Sequence, residues 1–406
     1  MKNQLGKNVL FICYWSWHDG LTRSAAMPHV RVLDENQRIN KILLVTIERE
    51  HNVDFPIIKK DIGKIAHIPL YPDNFKFNLL TKINDFIRFP KKLVKLVKQY
   101  QVDILIAHGA PAGALAYKIW KQTQIPFYVS SFEPHAAYML ESGVWSKSGL
   151  KYKFQKHWEQ QQKRLAAGLL PVSDHYRQVL EKEGVPPEKL KTVACTTSLH
   201  QFNFQLSHRQ FIRERLQWQQ EVIGIYVGKY GGLYYEQEAF EIYKTCFEQI
   251  SSFRLLILSP QKQADIEDSL LQHQLDLKMV KVLSVPHEEV PQYLSAADFA
   301  FATYKPGPSK QFLSPVKIGE YWATGLPVLL TEGIGDDSDI IEREGGGALF
   351  NLGEAGSVEK AIQKIQDIIK QPRHREQIRE LAVKYRSQDQ IRKAYEYFLG
   401  EPEDGE

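Results

Sequence analysis

The chain has 406 residues, of which 43% are hydrophobic and 25% are charged, and this composition is typical of globular proteins rather than disordered ones. The length exceeds one ordinary domain core, so we expect two domains of about 200 residues each. Lys and Arg total 52 against 48 for Asp and Glu, a net charge of +4 that excludes a strongly cationic nucleic-acid-binding protein.

The cysteines and the apolar runs indicate a cellular compartment. Cys13, Cys195 and Cys246 are too widely spaced for a zinc cluster and too few for a disulfide framework, which fits a reducing cytoplasm. No apolar run approaches the roughly 18 residues that a membrane span needs, and the first residues lack the layout of a signal peptide. We therefore expect a cytoplasmic protein that meets a membrane only from the side.

In the first half of the chain, short apolar runs alternate with segments of helical period. The runs that predict strands cover residues 8–14, 42–47, 104–107, 127–130 and 168–172. The segments that predict helices between them include 25–36, 112–123 and 152–165. This alternation predicts a doubly wound α/β domain over residues 1–205.

The alternation restarts after a polar, irregular stretch that ends near residue 208. Strands are predicted at 223–227, 254–258, 280–283, 299–302 and 328–331, with helices such as 236–249 and 290–297 between them. We expect a second α/β domain over 206–385, a C-terminal helix over 386–399 that returns to the first domain, and an acidic tail over 400–406. Because open α/β sheets bind ligands beyond the carboxyl ends of their strands, a cleft between the two domains is the expected site.

The segment 314–328 has the features of an anion-binding helix N-terminus. Ser314 is predicted as the N-cap, Pro315 as the first helical residue and Gly325 as the left-handed C-terminal cap. Free backbone amides, the positive end of the helix dipole and Lys317 would converge on a diphosphate, and Glu320 would accept two vicinal ribose hydroxyls. The structural alternative is a surface pair between Lys317 and Glu320 at i, i+3.

The same segment, Ser-Pro-x-Lys-x-x-Glu-Tyr-x-Ala-x-Gly-x-Pro-Val, resembles the donor-site helix of GT-B glycosyltransferases of the retaining family 4 type. Segments 166–173, 185–193, 225–232 and 287–298 resemble other parts of that family in the same order. The resemblance covers nearly the whole chain. It implies an α/β GT-B fold of two Rossmann-like domains facing a central cleft, with a UDP- or GDP-linked sugar as substrate and no metal or other cofactor.

The resemblance also assigns roles in the second domain. Glu320 matches the glutamate that holds the ribose, while Ser314 and Lys317 would face the diphosphate. Two departures from the family pattern stand out, because Phe312 replaces the first glutamate and Tyr235 stands near the expected second lysine. The residues implied in donor binding or in stabilising the leaving phosphate are Gly228, Lys229, Ser284, Ser314, Pro315, Val316, Lys317 and Glu320.

In the first domain, three strand ends carry candidate residues. Gly20 and Arg23 lie in the loop after the first strand, which has no Gly-x-Gly-x-x-Gly motif and so does not favour a dinucleotide site. A solvated surface turn is the alternative for that loop. Glu133 and His135 follow another strand, where His135 would contact a sugar hydroxyl and Glu133 would orient it or act on the acceptor. The alternative for His135 is a structural role, since a lone histidine after a strand is more often structural. His108, which ends another strand, is a candidate for the acceptor pocket.

Two basic amphipathic stretches, 82–98 and 147–164, indicate a further partner. Such helices can lie on an anionic membrane surface, and the alternative is a solvated helix face packed on the sheet. Pro90 is predicted to break the first of these helices.

Together these features predict a glycosyltransferase that transfers a sugar from a nucleotide-sugar donor to a hydroxyl of a glycan or lipid-linked acceptor, with retention of configuration. Two alternatives stay open. One is a nucleotide-sugar 2-epimerase on the same fold. The other is a catalytically inactive nucleotide-sugar-binding subunit, which the substitutions at Phe312 and Tyr235 would explain.

Overall fold

A computed structural model describes residues 6–48, 63–73 and 78–400. It forms two compact units, one comprising Met1–Thr196 with Gln388–Glu406 and the other Thr197–Ser387. The first unit therefore ends at Thr196, before the boundary at residue 205 that the change to irregular, polar sequence predicts. The acidic stretch after Gly400 lies outside the described residues.

The first unit is built on a six-stranded parallel sheet. Its strands are β1 (Lys7–Cys13), β2 (Ile39–Ile47), β3 (Ile65–Leu70), β4 (Ile104–His108), β5 (Phe127–Phe132) and β6 (Gly168–Pro171), in the order β3-β2-β1-β4-β5-β6. Its helices are α1 (Met27–Glu35), α2 (Asn78–Gln99), α3 (Ala110–Thr123), α4 (His135–Glu141), α5 (Leu150–Leu165) and α6 (Asp174–Lys182). Central β1 is buried on both faces from Val9 to Cys13, as expected of a parallel sheet covered by helices on both sides.

Helix α2 continues through Pro90, so the predicted break at that residue is wrong. A proline inside a helix leaves the carbonyl four residues earlier without its usual N–H donor. That carbonyl belongs to Phe86, and it accepts a hydrogen bond of 2.8 Å from Lys118 Nζ on α3. Lys118 thus replaces the missing backbone bond, which explains how the helix tolerates the proline.

The second unit repeats the architecture. Its strands are β7 (Val222–Val227), β8 (Phe253–Leu258), β9 (Val280–Leu283), β10 (Phe299–Ala302), β11 (Val328–Thr331) and β12 (Gly347–Phe350), all parallel, in the order β12-β11-β10-β7-β8-β9. Its helices are α7 (Leu206–Leu216), α8 (Gln237–Gln249), α9 (Gln263–Gln272), α10 (Val290–Ala296), α11 (Val316–Ala323), α12 (Gly335–Glu344), α13 (Ser357–Lys370) and α14 (His374–Arg386). The predicted α/β class with two doubly wound units is confirmed.

The last described helix, α15 (Asp389–Leu399), packs on the first unit. Its apolar residues Ile391 and Tyr395 share a core cluster with Phe11 of β1. The Tyr395 hydroxyl also lies 2.9 Å from Nδ1 of the buried His29 on α1. The C-terminal helix is therefore an integral part of the first unit.

Among the helices that the structure describes, none is both long enough and apolar enough to cross a bilayer. The described residues also contain no group of three or more His, Cys, Asp or Glu side chains arranged to hold a metal ion.

Candidate functional site

The strand order of the second unit reverses between β7 and β10, which are hydrogen-bonded neighbours. In open α/β sheets the carboxyl ends of the strands at such a reversal diverge and leave a ligand crevice. The loop after β7 begins with Gly228 and Lys229, and the loop after β10 leads to α11. The two loops are joined by an antiparallel bridge between Tyr234 and Tyr304. The switch point therefore brings the predicted donor residues of both loops together.

Helix α11 begins one residue later than the sequence predicts. Pro315, with φ −65° and ψ 121°, is the N-cap, and no side chain caps the first turn. The prediction that Ser314 is the N-cap and Pro315 the first helical residue is therefore wrong. The reason is that the Ser314 hydroxyl accepts a hydrogen bond from the buried guanidinium of Arg386, which also pairs with Asp337. The first turn of α11, which starts at Val316, keeps amides that no side chain of the cap satisfies.

Lys317 projects from this first turn into a cage of tyrosine rings. Its Nζ atom lies 4.1 Å from the ring centroid of Tyr234, 4.9 Å from that of Tyr226 and 5.6 Å from that of Tyr304. The residue is only 9% exposed, and its Nζ atom has no hydrogen-bond partner within the described part of the chain. The aromatic faces offer partial compensation for a cation, but the donor capacity of the amine is unused.

The position of this amine requires a glycine in the neighbouring turn. A Cβ atom on Gly228 would lie 2.7 Å from Lys317 Nζ, and the glycine has φ +147°. Any larger residue there would displace the amine and adopt a backbone conformation that glycine favours. Gly228 thus leaves the space that the lysine tip occupies.

Burial lowers the pKa of the Lys317 amine from 10.5 to about 7, against an opposing contribution from the charge of Glu320. The cause is desolvation, which disfavours the ammonium form. An anion bound beside the amine would stabilise the charged form and reverse the shift. The cage is therefore an unsatisfied cation site in which a phosphate group would supply the missing partner.

Lys229 and Tyr235 lie in the loop after β7 and differ sharply in exposure. The Lys229 side chain is exposed, while its carbonyl accepts a hydrogen bond from the Tyr226 hydroxyl. Tyr235 is buried, and its backbone N–H donates to the Thr303 carbonyl at 3.1 Å. Position 235 thus supplies a buried tyrosine instead of a second lysine, and Lys229 is the exposed cation of this loop.

Glu320 is buried on α11 and bonds to a histidine that the sequence interpretation missed. Its Oε1 atom lies 3.0 Å from Nε2 of His287, in the segment between β9 and α10. The predicted surface pair between Lys317 and Glu320 is wrong, because both residues are buried and the lysine amine has no such partner among the described residues. Ser284, at the start of the same segment, is exposed. The sequence alone does not indicate a role for His287, because that role depends on the loop after β9 reaching α11.

Phe312 lies half-buried in a short 3₁₀ turn, Lys310–Phe312, ahead of α11. Its ring offers no acceptor for a hydroxyl, so this position contributes no carboxylate to the site. Glu320 is the carboxylate that α11 itself supplies.

In the first unit the strand order reverses between β1 and β4. After β1 the chain becomes helical at the exposed Gly20, and a π-helical turn, Thr22–Ala26, follows and continues into α1. Arg23 is exposed on this turn. The turn begins earlier than the predicted helix, so Arg23 is a helical residue instead of a loop residue. Such π-helical turns occur frequently at functional sites.

Glu133 and His135 follow β5, as predicted, and lie next to each other. His135 Nδ1 is 3.5 Å from Glu133 Oε1, and both side chains are partly exposed. Phe132, the last residue of β5, is buried and stacks on Tyr176. The Glu133–His135 pair is therefore the polar group that the end of β5 presents.

His108, at the end of β4, is a buried residue with 1% exposure. Its Nδ1 atom lies 2.9 Å from Ser130 Oγ, and its Nε2 atom has no hydrogen-bond partner among the described residues. Burial lowers the pKa of His108 to about 3, so the imidazole is neutral at physiological pH. His108 is therefore a buried, neutral residue whose Nε2 atom leaves one polar group without a partner among the described residues.

Comparison with known families gives two matches that together cover most of the chain. The model described as Glycosyltransferase Family 4 matches residues 57–200, and the model described as Glycosyl transferases group 1 matches residues 224–370. No curated protein matches the chain.

Solved structures with the same fold extend over nearly the whole length. Sucrose-phosphate synthase from Thermosynechococcus elongatus has a TM-score of 0.74 at 16% identity, covering 97% of this chain and 98% of that one. The Anabaena protein HepE in complex with UDP has a TM-score of 0.69 at 13% identity, with 97% and 100% covered. A putative UDP-N-acetylglucosamine 2-epimerase from Listeria monocytogenes has a TM-score of 0.62 at 14% identity, with 99% of each chain covered.

Proposed function

Because the chain belongs to the family 4 type of GT-B glycosyltransferases, we propose that it transfers a sugar from a nucleotide-sugar donor to a hydroxyl of a glycan or lipid-linked acceptor. The proposal includes retention of anomeric configuration, independence of metal ions and a role in cell-surface polysaccharide or glycolipid synthesis. The observation that carries it is the buried Lys317 amine, which has no hydrogen-bond partner within the described residues and lies at the switch point of the second sheet.

The donor would bind with its diphosphate at the first turn of α11. Lys317 and the backbone amides that follow Pro315 supply positive charge and N–H donors there. The exposed Lys229 would contact the same diphosphate from the loop after β7. Glu320 would accept the ribose hydroxyls, and the segment that starts at Ser284 would contact a uracil or guanine base.

Sugar transfer breaks the bond between the anomeric carbon and a phosphate oxygen, and negative charge develops on the leaving nucleoside diphosphate. Preorganised cations stabilise this charge in the transition state, and losing one such group typically costs about 3–4 kcal/mol. Lys317 and Lys229 would carry this role. The acceptor oxygen forms the new bond to the same face of the sugar, and its proton passes to the departing phosphate oxygen.

The acceptor would bind to the first unit. The Glu133–His135 pair would bond sugar hydroxyls, and Gly20 and Arg23 are the residues of this unit that we assign to donor binding. His108 is buried, so it would support the residues of this pocket rather than contact the acceptor itself.

An anionic membrane surface on the cytoplasmic side is the second partner that we propose. Helices α2 and α5 expose lysines together with apolar residues: Ile87 is 53% exposed, Leu150 is 72% exposed and Phe154 is 49% exposed. The exposed lysines of these helices are Lys91, Lys92, Lys95, Lys98, Lys151, Lys153 and Lys156. Basic amphipathic surfaces of this composition bind anionic lipid, where each lysine contributes about 1 kcal/mol.

Two other functions share this fold. A 2-epimerase is favoured by the likeness to the Listeria structure, and an inactive nucleotide-sugar-binding subunit is favoured by Phe312 and Tyr235. An epimerase would require acid and base carboxylates in the sugar pocket. In the second unit, Glu320 is the buried carboxylate of the site, and it is bonded to His287.

A panel of radiolabelled UDP- and GDP-sugars, first ranked by thermal shift, tests the proposal. A transferase should release nucleoside diphosphate slowly by hydrolysis and faster when a glycan or glycolipid acceptor is added. An epimerase would convert UDP-N-acetylglucosamine to its 2-epimer with the glycosidic phosphate bond intact. Binding without either reaction would identify the inactive subunit, and absence of binding to the whole panel would contradict the donor site.

A further inference from the structure

We propose that His287 is a positioning residue that fixes the orientation of the Glu320 carboxylate and so determines how it contacts a ribose. This inference rests on the proposed function, because it assumes that Glu320 binds the donor. The observation behind it is the hydrogen bond of 3.0 Å between His287 Nε2 and Glu320 Oε1, which joins the loop after β9 to α11.

The backbone around His287 is fixed by two turns. Glu289 N–H donates to the Pro286 carbonyl at 3.0 Å, and Val290 N–H donates to the His287 carbonyl at 3.3 Å as α10 begins. The imidazole also contacts the ring of the buried Phe202, with 5.5 Å between centroids. The loop backbone and the contact with Phe202 thus hold the imidazole beside Glu320 while 46% of the side chain stays exposed.

The chemistry of the His287–Glu320 pair determines which atom donates and which accepts the hydrogen bond. An ionised carboxylate only accepts hydrogen bonds, so His287 must carry a hydrogen on Nε2, as a neutral tautomer or as a cation. The terminal torsion of a glutamate is broad and roughly two-fold, and the bond to Oε1 removes that freedom. Oε2 is then held in one place, where it can accept a hydrogen bond from a ribose hydroxyl of the nucleotide.

His287 also keeps Glu320 away from Lys317. The two residues are three apart on α11, a spacing at which opposite charges attract each other on a helix. Without the imidazole, the carboxylate would be free to turn toward the lysine amine and neutralise the cation intended for the diphosphate. A single hydrogen bond thus separates the ribose carboxylate from the phosphate cation.

The test compares His287→Gln with His287→Asn. A glutamine amide can place an N–H near the position of Nε2, whereas an asparagine amide is too short to reach it. Dissociation constants would be measured by calorimetry for UDP, GDP and their 2′-deoxy and 3′-deoxy analogues, and circular dichroism would establish that both variants fold. Glu320→Gln is the matched variant for the carboxylate itself.

We expect the wild-type protein to prefer its better-bound ribonucleotide over the deoxy analogues by about tenfold, the scale of one hydrogen bond to a charged group. His287→Asn should reduce this preference to about twofold, while His287→Gln should keep most of it. Equal weakening of ribonucleotide and deoxynucleotide, equal losses in both variants, or an unchanged preference in His287→Asn would overturn the role of His287. If Glu320→Gln binds every nucleotide as the wild type does, the ribose role of Glu320 fails first.

Discussion

At the scale of single residues, the amine of Lys317 is the most consequential group in the protein. Burial among tyrosine rings lowers its pKa to about 7 through desolvation, so this lysine changes charge near physiological pH. A diphosphate would favour the charged form and raise the pKa again. Nucleotide binding and proton uptake at Lys317 are therefore expected to be coupled.

This coupling gives nucleotide affinity a definite pH dependence. Below pH 7 the amine is already protonated and affinity should be flat. Above pH 7 binding must take up a proton, so the dissociation constant should rise by up to about tenfold per pH unit until the pKa of the complex is reached. Calorimetry in buffers of different ionisation enthalpy would measure the proton directly.

Lys317→Ala should abolish this pH dependence and lower turnover about a hundredfold. Lys281→Ala is the matched control, because Lys281 is an exposed lysine on β9 of the same unit. Retention of the full pH dependence in Lys317→Ala would show that another group takes up the proton.

At the scale of elements, the site depends on the turn after β7 fitting closely against the tip of α11. Three glycines of that turn, Gly228, Gly231 and Gly232, have positive φ, and the first and the last of them have different surroundings. A Cβ on Gly228 would meet the Lys317 amine, whereas Gly232, with φ +62°, has nothing within 4 Å. Gly228 serves the site as well as the backbone, and Gly232 serves the backbone alone.

Alanine substitutions separate these two roles. Gly228→Ala and Gly232→Ala should each lower the free energy of unfolding by about 1–2 kcal/mol through backbone strain. Only Gly228→Ala should also weaken nucleotide binding, because it pushes the amine out of the cage. Chemical denaturation measures the first effect and calorimetry the second. Equal nucleotide affinities in the two variants would contradict the steric role of Gly228.

The sequence was sufficient to predict most strands and insufficient for one edge strand of each sheet. Central strands such as β1 appear as continuous apolar runs because they are buried on both faces. The missed strands, β3 and β12, are both edge strands. The first contains a histidine and a proline, and the second has only four residues beside a glycine-rich turn, so neither has the apolar run that identifies a buried strand.

For the site, the sequence predicted the residue types of α11 correctly but not their partners. Lys317 and Glu320 lie on that helix as expected, yet the hydroxyl of Ser314 is taken by Arg386, 72 residues later in the chain. The bond between His287 and Glu320 spans 33 residues. Such contacts depend on the packing of separate elements, which no local pattern encodes.

At the scale of the whole molecule, the first unit contains buried histidines that must stay neutral. His29 and His108 lie with their ring centroids 5.2 Å apart. Burial lowers the pKa of His29 well below 6.5 and that of His108 to about 3. In the unfolded chain both take up protons below about pH 6.5. The unfolded state therefore binds more protons in acid, and stability must fall as the pH drops from about 6.5 toward 3.

The slope can be assigned by substitution. His108 should contribute about 1.4 kcal/mol of destabilisation per pH unit in that window, and His29 should add to the slope in the same direction. His108→Asn keeps a polar atom facing Ser130. The free energy of unfolding of this variant should depend less on pH by this amount, even if the variant is less stable than the wild type at pH 7. His157→Asn, at an exposed histidine of α5, is the control. Parallel pH profiles for the wild type and His108→Asn would refute the assignment.

The position of α15 has a consequence for how the protein is made. A ribosome releases β1 to β6 first, then the entire second unit, and only afterwards the helix whose Ile391 and Tyr395 cover part of the first core. Until that helix emerges, His29 lacks its tyrosine partner and an apolar strip stays open to solvent or to chaperones. The second unit, continuous in sequence, meets no such delay. Nascent chains that stall before Asp389 should therefore contain a fully folded second unit and a first unit whose core is incompletely covered.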